Sequence, residues 1–301
     1  MIGLDDQTLL TISTSVALGT LARIYMLRID YRQYPSYPQG YLVHVSLGLV
    51  ASLLGAVAIP ALVEKEYTAV TFLALATQQF REIRQMERES LRNIEDTELV
   101  PRGSAYIEDI AKAFESRNYL AMLTALISSL ISQITGDLRY SVLSAIAVVF
   151  LLSYFTRRKR IKDIAEVKPA KIHFENSLLC VDEIKFLNVG LPETREIFMQ
   201  KGIAVIIHPK NDNGRATLSN GGQRQAMVHD AASLLGIRRD LDDIEFMPLA
   251  RIDLNTGKVG LIIVPMEKDM DSLIQAIERV PVIESSQKKP LQSLAGRKAA
   301  D

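Results

Sequence analysis

The stretch YSVLSAIAVVFLLSYFTRRKR, residues 140–160, divides the chain into two kinds of sequence. Before it, from residue 9 onward, the chain repeats long apolar runs that a water-soluble domain does not need. After the basic run at residues 157–160, short apolar and polar segments alternate as in a soluble domain. We therefore predict a transmembrane helical domain over residues 1–156 and a cytoplasmic domain over residues 157–284.

Composition narrows the possible functions. The 301 residues include 35 basic and 35 acidic side chains, so the chain lacks the basic excess that is typical of nucleic-acid-binding proteins. Its single cysteine, Cys180, excludes an intrachain disulfide framework. We expect no nucleic-acid partner and no cofactor.

The first half predicts a multi-pass helical bundle. A membrane helix needs about 20 mostly apolar residues to cross a hydrocarbon layer roughly 30 Å thick. The apolar runs lie at residues 9–27, 41–63, 67–80, 119–134 and 140–155. The run at residues 67–80 is short, so the sequence leaves four spans and five spans open. The last two runs are joined by TGDLR, whose Gly136 predicts a helical hairpin.

Two details of the spans give local predictions. Gly48, Ala51 and Gly55 form a small-residue face on the second run, which would let another helix approach closely. Arg23 lies near the end of the first run, so we expect its guanidinium to reach the membrane interface.

Basic residues predict the orientation. Arginines follow the run at residues 67–80, and the basic run at residues 157–160 follows the last span. Because basic segments stay on the cytoplasmic side, both should be cytoplasmic. Five spans place the N-terminus outside the cell and four place it inside, whereas the C-terminal domain is cytoplasmic in both. We therefore expect lipid contact and a location in a cell membrane.

The segment at residues 81–118 is charged and interrupts the apolar half. Its first helix should end near Pro101 and Gly103, and a second helix should run from Ser104 into the next span without a break. This second helix carries candidate interaction or coupling residues, namely Tyr106, Glu108, Asp109, Glu115 and Arg117. The alternative is an amphipathic helix stabilised only by its own salt bridges.

The same helix carries a family resemblance. The hexapeptide YIEDIA at residues 106–111, followed by KAFESRNY, resembles the signature of the YIEGIA family of bacterial membrane proteins. Asp109 stands where the family name has glycine. The resemblance implies an endospore-forming bacterium and a small soluble partner, because a companion protein is described as a capping complex subunit. It implies no catalytic residue.

The C-terminal half predicts an α+β domain with a mixed or antiparallel sheet. The segment at residues 203–209 is rich in β-branched residues and predicts a buried strand, and residues 251–265 predict a hairpin around a glycine-containing turn. Helical patterns begin at Pro192, Gln223 and Asp269. We expect PVIES at residues 281–285 to add an edge strand, and residues 285–301 to form a disordered tail because they are polar.

Two groups of residues could carry chemistry. Gly221, Gly222 and Arg224 form a candidate anion-binding site, since backbone N–H groups at a helix start attract anions. The loop lacks the spacing of nucleotide-binding motifs, so we favour a flexible polar connection capped by Asn220. His173, His208, His229, Asp230 and Cys180 also lack metal-binding spacing, and we predict no metal site.

These observations favour a non-enzymatic membrane subunit of a protein complex, whose cytoplasmic domain docks a small soluble partner. The alternative is a channel or transporter formed by homo-oligomerisation of the helical half and gated by the cytoplasmic domain. Carboxylates are essentially absent from the interior of the spans, which argues against proton-coupled transport.

Overall fold

A computed structural model describes residues 5–30, 38–155, 158–238 and 246–299. The chain divides into two compact units. The first contains Met1–Glu89 and Ile110–Arg157, and the second contains Ser90–Asp109 and Arg158–Asp301. The second unit includes residues 90–109, which lie within the predicted helical domain, as well as the chain from residue 158 onward.

Long helices make up the first half of the chain. They are α1 (Asp6–Asp30), α2 (Pro38–Val63), α3 (Tyr67–Glu95), α4 (Ser104–Thr135) and α5 (Leu138–Phe155). In the described part of the chain, three stretches are long and apolar enough to cross a membrane, Asp6–Leu27, Gly40–Val63 and Ser104–Thr135. The apolar helix α5 is shorter, and α3 joins the run at residues 67–80 to charged sequence in one helix. The number of spans therefore stays a prediction.

Small residues bring α2 close to α4. A Cβ atom added to Gly55 would lie 2.1 Å from the main-chain oxygen of Met122, so no larger residue fits without movement of the backbone. Ala51 packs against Ala121, and both are buried. The predicted small-residue face is therefore confirmed, and its role is close helix packing.

Hydroxyl groups add polar contacts between these helices. The hydroxyls of Ser128 and Ser141 lie 2.6 Å apart across the α4–α5 hairpin, and that of Ser129 donates to the main-chain oxygen of Ala56 at 2.8 Å. The hairpin turns at Gly136, whose φ of +66° is costly for other residues. Its prediction from TGDLR is confirmed.

The second unit contains two antiparallel sheets. Their strands are β1 (Ala165–Ala170), β2 (Ile172–Glu175), β3 (Leu178–Val181), β4 (Ile184–Asn188), β5 (Ile203–Pro209), β6 (Leu249–Ile252) and β7 (Val259–Ile263). One sheet has the order β1-β5-β7-β6 and the other the order β2-β3-β4. The predicted strand at residues 203–209 and the β6–β7 hairpin are confirmed.

The larger sheet is covered on both faces. The smaller sheet packs on one face, where Leu179 and Phe186 meet Ile206 and Ile262 in a buried apolar core. The sheets pack tightly at Gly260, where an added Cβ would lie 3.1 Å from the Phe186 ring. The second unit also contains the helices α6 (Ile161–Ile164), α7 (Pro192–Lys201), α8 (Asp212–Leu218), α9 (Gly221–Leu235), α10 (Met270–Glu278) and α11 (Leu294–Lys298). Of these, α6, α8, α9 and α10 contact strands of the larger sheet, whereas α7 contacts β2 of the smaller sheet.

Three local expectations differ from the structure. The predicted flexible connection before α9 contains α8, because the side chain of Asn211 accepts a hydrogen bond from the Gly214 N–H and caps that helix. The predicted edge strand PVIES forms only one bridge, between Pro281 and Arg160, since the chain then enters a helical turn at Glu284–Ser286.

The third difference is the tail, which has regular structure at Pro290–Gln292 and in α11. Its polar composition predicted disorder. Hydrogen bonds from Lys288 N–H to the Thr217 hydroxyl and from Leu291 N–H to the Asn213 side chain attach it to α8. Both partners come from elsewhere in the chain, so composition did not indicate them.

Candidate functional site

The candidate site is the junction where residues 95–109 join the C-terminal domain within the second unit. The chain leaves α3 at Glu95, whose carboxylate accepts hydrogen bonds from the N–H groups of Arg102 at 3.1 Å and Gly103 at 2.7 Å. Gly103 has a φ of +83°, which favours glycine, and its carbonyl accepts from the N–H of Tyr106 at 3.1 Å. These bonds turn the chain into α4.

Tyr106 is the first residue that anchors this junction. Its side chain is 1% exposed, and its hydroxyl donates to Oδ2 of Asp230 on α9 at 3.2 Å. Earlier on α9, the side-chain amide of Gln225 donates to the carbonyl of Pro101. Side chains therefore bond both the first turn of α4 and the segment just before it to α9.

Asp109 is the second anchor. Its side chain is 2% exposed, it forms an ion pair with Arg158, and its Oδ1 accepts a hydrogen bond from the N–H of Glu284 at 3.0 Å. One carboxylate thus connects α4 to the start and to the end of the C-terminal domain. This gives a physical role to the aspartate that replaces glycine in the hexapeptide.

His229 lies beside these anchors on α9. It is 6% exposed, and its Nδ1 lies 2.8 Å from the carbonyl of Val100. Burial lowers the pKa of His229 from 6.5 to about 4, so the ring is neutral at pH 7 and donates its Nδ1 proton to that carbonyl. Glu98 lies 3.3 Å from the same nitrogen, but its carboxylate is paired with Arg102.

Ser233 contacts the other ring nitrogen of His229. Ser233 Oγ lies 3.3 Å from His229 Nε2, one turn away on the same helix. The Val100 carbonyl lies 2.8 Å from Nδ1, closer than the Glu98 carboxylate at 3.3 Å, so the Nδ1 proton points to the main-chain carbonyl. The arrangement holds the segment at residues 98–100 against α9, which is a structural role.

The five predicted coupling residues do not form a single cluster. Tyr106 and Asp109 are the buried anchors described above, and Glu108 between them is half-buried. Glu115 and Arg117 belong to the first unit, where Glu115 pairs with Arg84 at 3.5 Å and Arg117 is 5% exposed. Helical spacing alone did not separate these two groups.

Arg23 in the first unit is buried, so its predicted position at the membrane interface is wrong. The predicted interfacial side chain is 0% exposed. Its Nε donates to Oδ1 of Asn118 at 3.2 Å, and its guanidinium lies 5.2 Å from the centre of the Phe114 ring. Polar and aromatic partners on α4 replace the hydration that snorkelling would have provided. His44 also packs on Phe114, with ring centres 4.6 Å apart.

The structure gives the Gly221-Gly222 loop a packing role. A Cβ added to Gly222 would lie 2.6 Å from the Cβ of Ala105, whereas one added to Gly221 would have no neighbour within 4 Å. Burial lowers the pKa of Arg224, which shows the cost of partly removing this charge from water. As predicted, Asn220 caps α9 by accepting from the Gln223 N–H. Anion binding at this loop stays a prediction.

The histidines considered as metal ligands lie on separate elements. His208 is on β5 and His229 is on α9, whereas His173 on β2 lies opposite Cys180 on β3. Only the last two are cross-strand neighbours, and the spacing of residues in the sequence did not show this pairing.

By its fold, the chain belongs to the class of proteins in which a domain with antiparallel sheets follows a helical half with candidate membrane spans. The chain belongs to the YIEGIA protein family, whose model matches residues 11–293. It is 41% identical over 281 residues to the uncharacterized protein YphB of Bacillus subtilis (strain 168), an alignment that covers 93% of this chain and 94% of that protein. No solved structure matches.

Proposed function

We propose that this protein is a non-enzymatic, multi-pass membrane subunit of a protein complex in an endospore-forming bacterium, and that its cytoplasmic domain docks a small soluble partner. The observation that carries the proposal is the junction at Tyr106 and Asp109. The same helix that supplies these buried anchors continues as a candidate membrane span. Such continuity suits a subunit that presents a folded domain at the membrane surface.

The proposed topology has five spans, with the N-terminus outside the cell. Helix α3 supports it, because 29 residues form one helix whose apolar first half precedes the arginines. Crossing by that half would leave both basic segments in the cytoplasm. Reporter fusions at the N-terminus test the topology. An external N-terminus is expected, and an internal one would require four spans.

Complex formation is tested by purifying the tagged full chain from its native membrane in detergent. We expect a small soluble protein to copurify in fixed stoichiometry, and a total protein mass above that of one chain. A tagged single-span protein expressed at the same level serves as the control for detergent-induced association. A monomer without a stoichiometric partner would contradict the proposal.

A channel or transporter is the second candidate. The observation that favours it is the buried contact of Arg23 with Asn118 among the candidate membrane helices. Charged side chains buried between membrane helices commonly mark the pathway of a solute or an ion. Solute flux into vesicles that contain the purified protein would support this function, provided that Arg23→Met abolishes the flux in protein that remains folded.

A further inference from the structure

Three side chains with metal-binding atoms meet on the smaller sheet. The register of β2 and β3 places His173 directly opposite Cys180, and Glu175 lies two residues further along β2. One ligand atom from each residue, a ring nitrogen, the sulfur and a carboxylate oxygen, lies within 4.8 Å of the other two. The cluster is distinct from the junction at Tyr106 and Asp109.

The strand periodicity directs these side chains to one face. Successive residues of a strand alternate between faces, and Phe174, Leu179 and Val181 point into the core between the two sheets. His173, Glu175 and Cys180 therefore point to the opposite face. Glu175 is exposed, His173 is half-buried and Cys180 is buried, so the carboxylate has the most freedom to adjust.

We propose that His173, Glu175 and Cys180 bind a divalent transition metal ion of the zinc class. Imidazole, thiolate and carboxylate are the ligand types that zinc combines in proteins, and three protein ligands leave a fourth position for water. With bond lengths of about 2.0–2.3 Å, tetrahedral ligand atoms lie about 3.4–3.8 Å apart. The observed limit of 4.8 Å thus requires movements of roughly 1 Å, which side-chain rotation can supply.

A lysine occupies the neighbouring position. Lys185 is paired with Cys180 in the β3–β4 register, and its Nζ lies 3.0 Å from Oε2 of Glu175. Its ammonium group neutralises the carboxylate that the metal would bind. The metal therefore competes with Lys185, and removal of this lysine should strengthen metal binding.

Cobalt is the probe for this site, because a thiolate bound to Co²⁺ gives an intense charge-transfer band in the near ultraviolet. The full chain, purified in detergent and freed of metal, is titrated with Co²⁺ and then with Zn²⁺. Cys180 is the only cysteine in the sequence, so the band reports this residue in the wild-type protein. We expect one equivalent of Co²⁺ to produce the band and one equivalent of Zn²⁺ to abolish it.

Variants identify the other ligands. His173→Gln and Glu175→Gln should each weaken Co²⁺ binding by at least about tenfold, since even the loss of an outer-shell partner costs 10–100-fold. Lys185→Met should tighten binding, and His208→Gln is the matched control because His208 lies on β5 of the other sheet. Absence of the thiolate band in folded wild-type protein, or equal binding by the His173 and His208 variants, would overturn the proposal.

Discussion

The ion pair between Asp109 and Arg158 permits a quantitative test of the junction. The two partners differ in burial, since the Asp109 side chain is 2% exposed and the Arg158 side chain is 28% exposed. Asp109→Asn removes the charge but keeps an oxygen for the Glu284 N–H. The remaining guanidinium can then be hydrated, so we expect a loss of about 1.5 kcal/mol in the free energy of unfolding, the lower end for a charged hydrogen bond.

Substitution of the other partner of the ion pair should lower the free energy of unfolding by more. Arg158→Met leaves the Asp109 carboxylate buried, with the Glu284 N–H as the other contact described above. An uncompensated buried charge costs about 3–5 kcal/mol, and the partial exposure of Arg158 reduces this to about 2–3 kcal/mol. The double variant should lose less than the sum of the single variants, with a coupling energy of about 1 kcal/mol or more.

Urea unfolding of the full chain in detergent, read out by pulse proteolysis, measures these free energies. Glu166→Gln is the control, because its ion pair with Lys168 is exposed on both sides and should contribute no measurable stability. Equal losses for the two single variants, or strict additivity in the double variant, would refute the argument from unequal burial.

Three further outcomes are expected. The folded pKa of about 4 for His229 lies below the unfolded value of 6.5. Its contribution of about 3 kcal/mol to the free energy of unfolding is therefore complete above pH 6.5 and decreases as the pH falls toward 4. His229→Asn should flatten the pH dependence of urea unfolding in this window. Gly222→Ala should destabilise the second unit by about 1–3 kcal/mol through its clash with Ala105, whereas Gly221→Ala should be neutral or slightly stabilising, as measured by the same unfolding assay. Gly55→Ala should lower the thermal unfolding midpoint of the purified protein, because its Cβ would meet a main-chain oxygen of α4.

A different result would contradict each of these three predictions. An unchanged pH profile in His229→Asn would show that another group titrates in the window. Equal stability of the two glycine variants would show that α9 does not pack on Ala105 as described. A thermal unfolding midpoint of Gly55→Ala equal to that of the wild-type protein would mean that α2 and α4 lie further apart than in the structure.

Much of the fold was predictable because its causes are local. The helical N-terminal half, the α4–α5 hairpin at Gly136 and the β6–β7 hairpin follow from apolar runs and turn residues that act within a few positions. Only part of the junction at Tyr106 and Asp109 could be predicted from the sequence. Tyr106 and Asp109 stood out through the hexapeptide, but their partners Asp230, Arg158 and Glu284 are remote in sequence and carried no local pattern.

The sequence by itself determined that apolar helices precede a domain of strands and helices, since hydrophobic length and periodicity depend on neighbouring residues. Tertiary structure decided where the charges lie. Arg23 is buried because Asn118 and Phe114, far along the chain, replace its hydration. His173 and Cys180 meet through a strand register, and residues 90–109 join the C-terminal domain through side chains on α9. Such contacts depend on which distant surfaces meet, and spacing along the chain does not encode them.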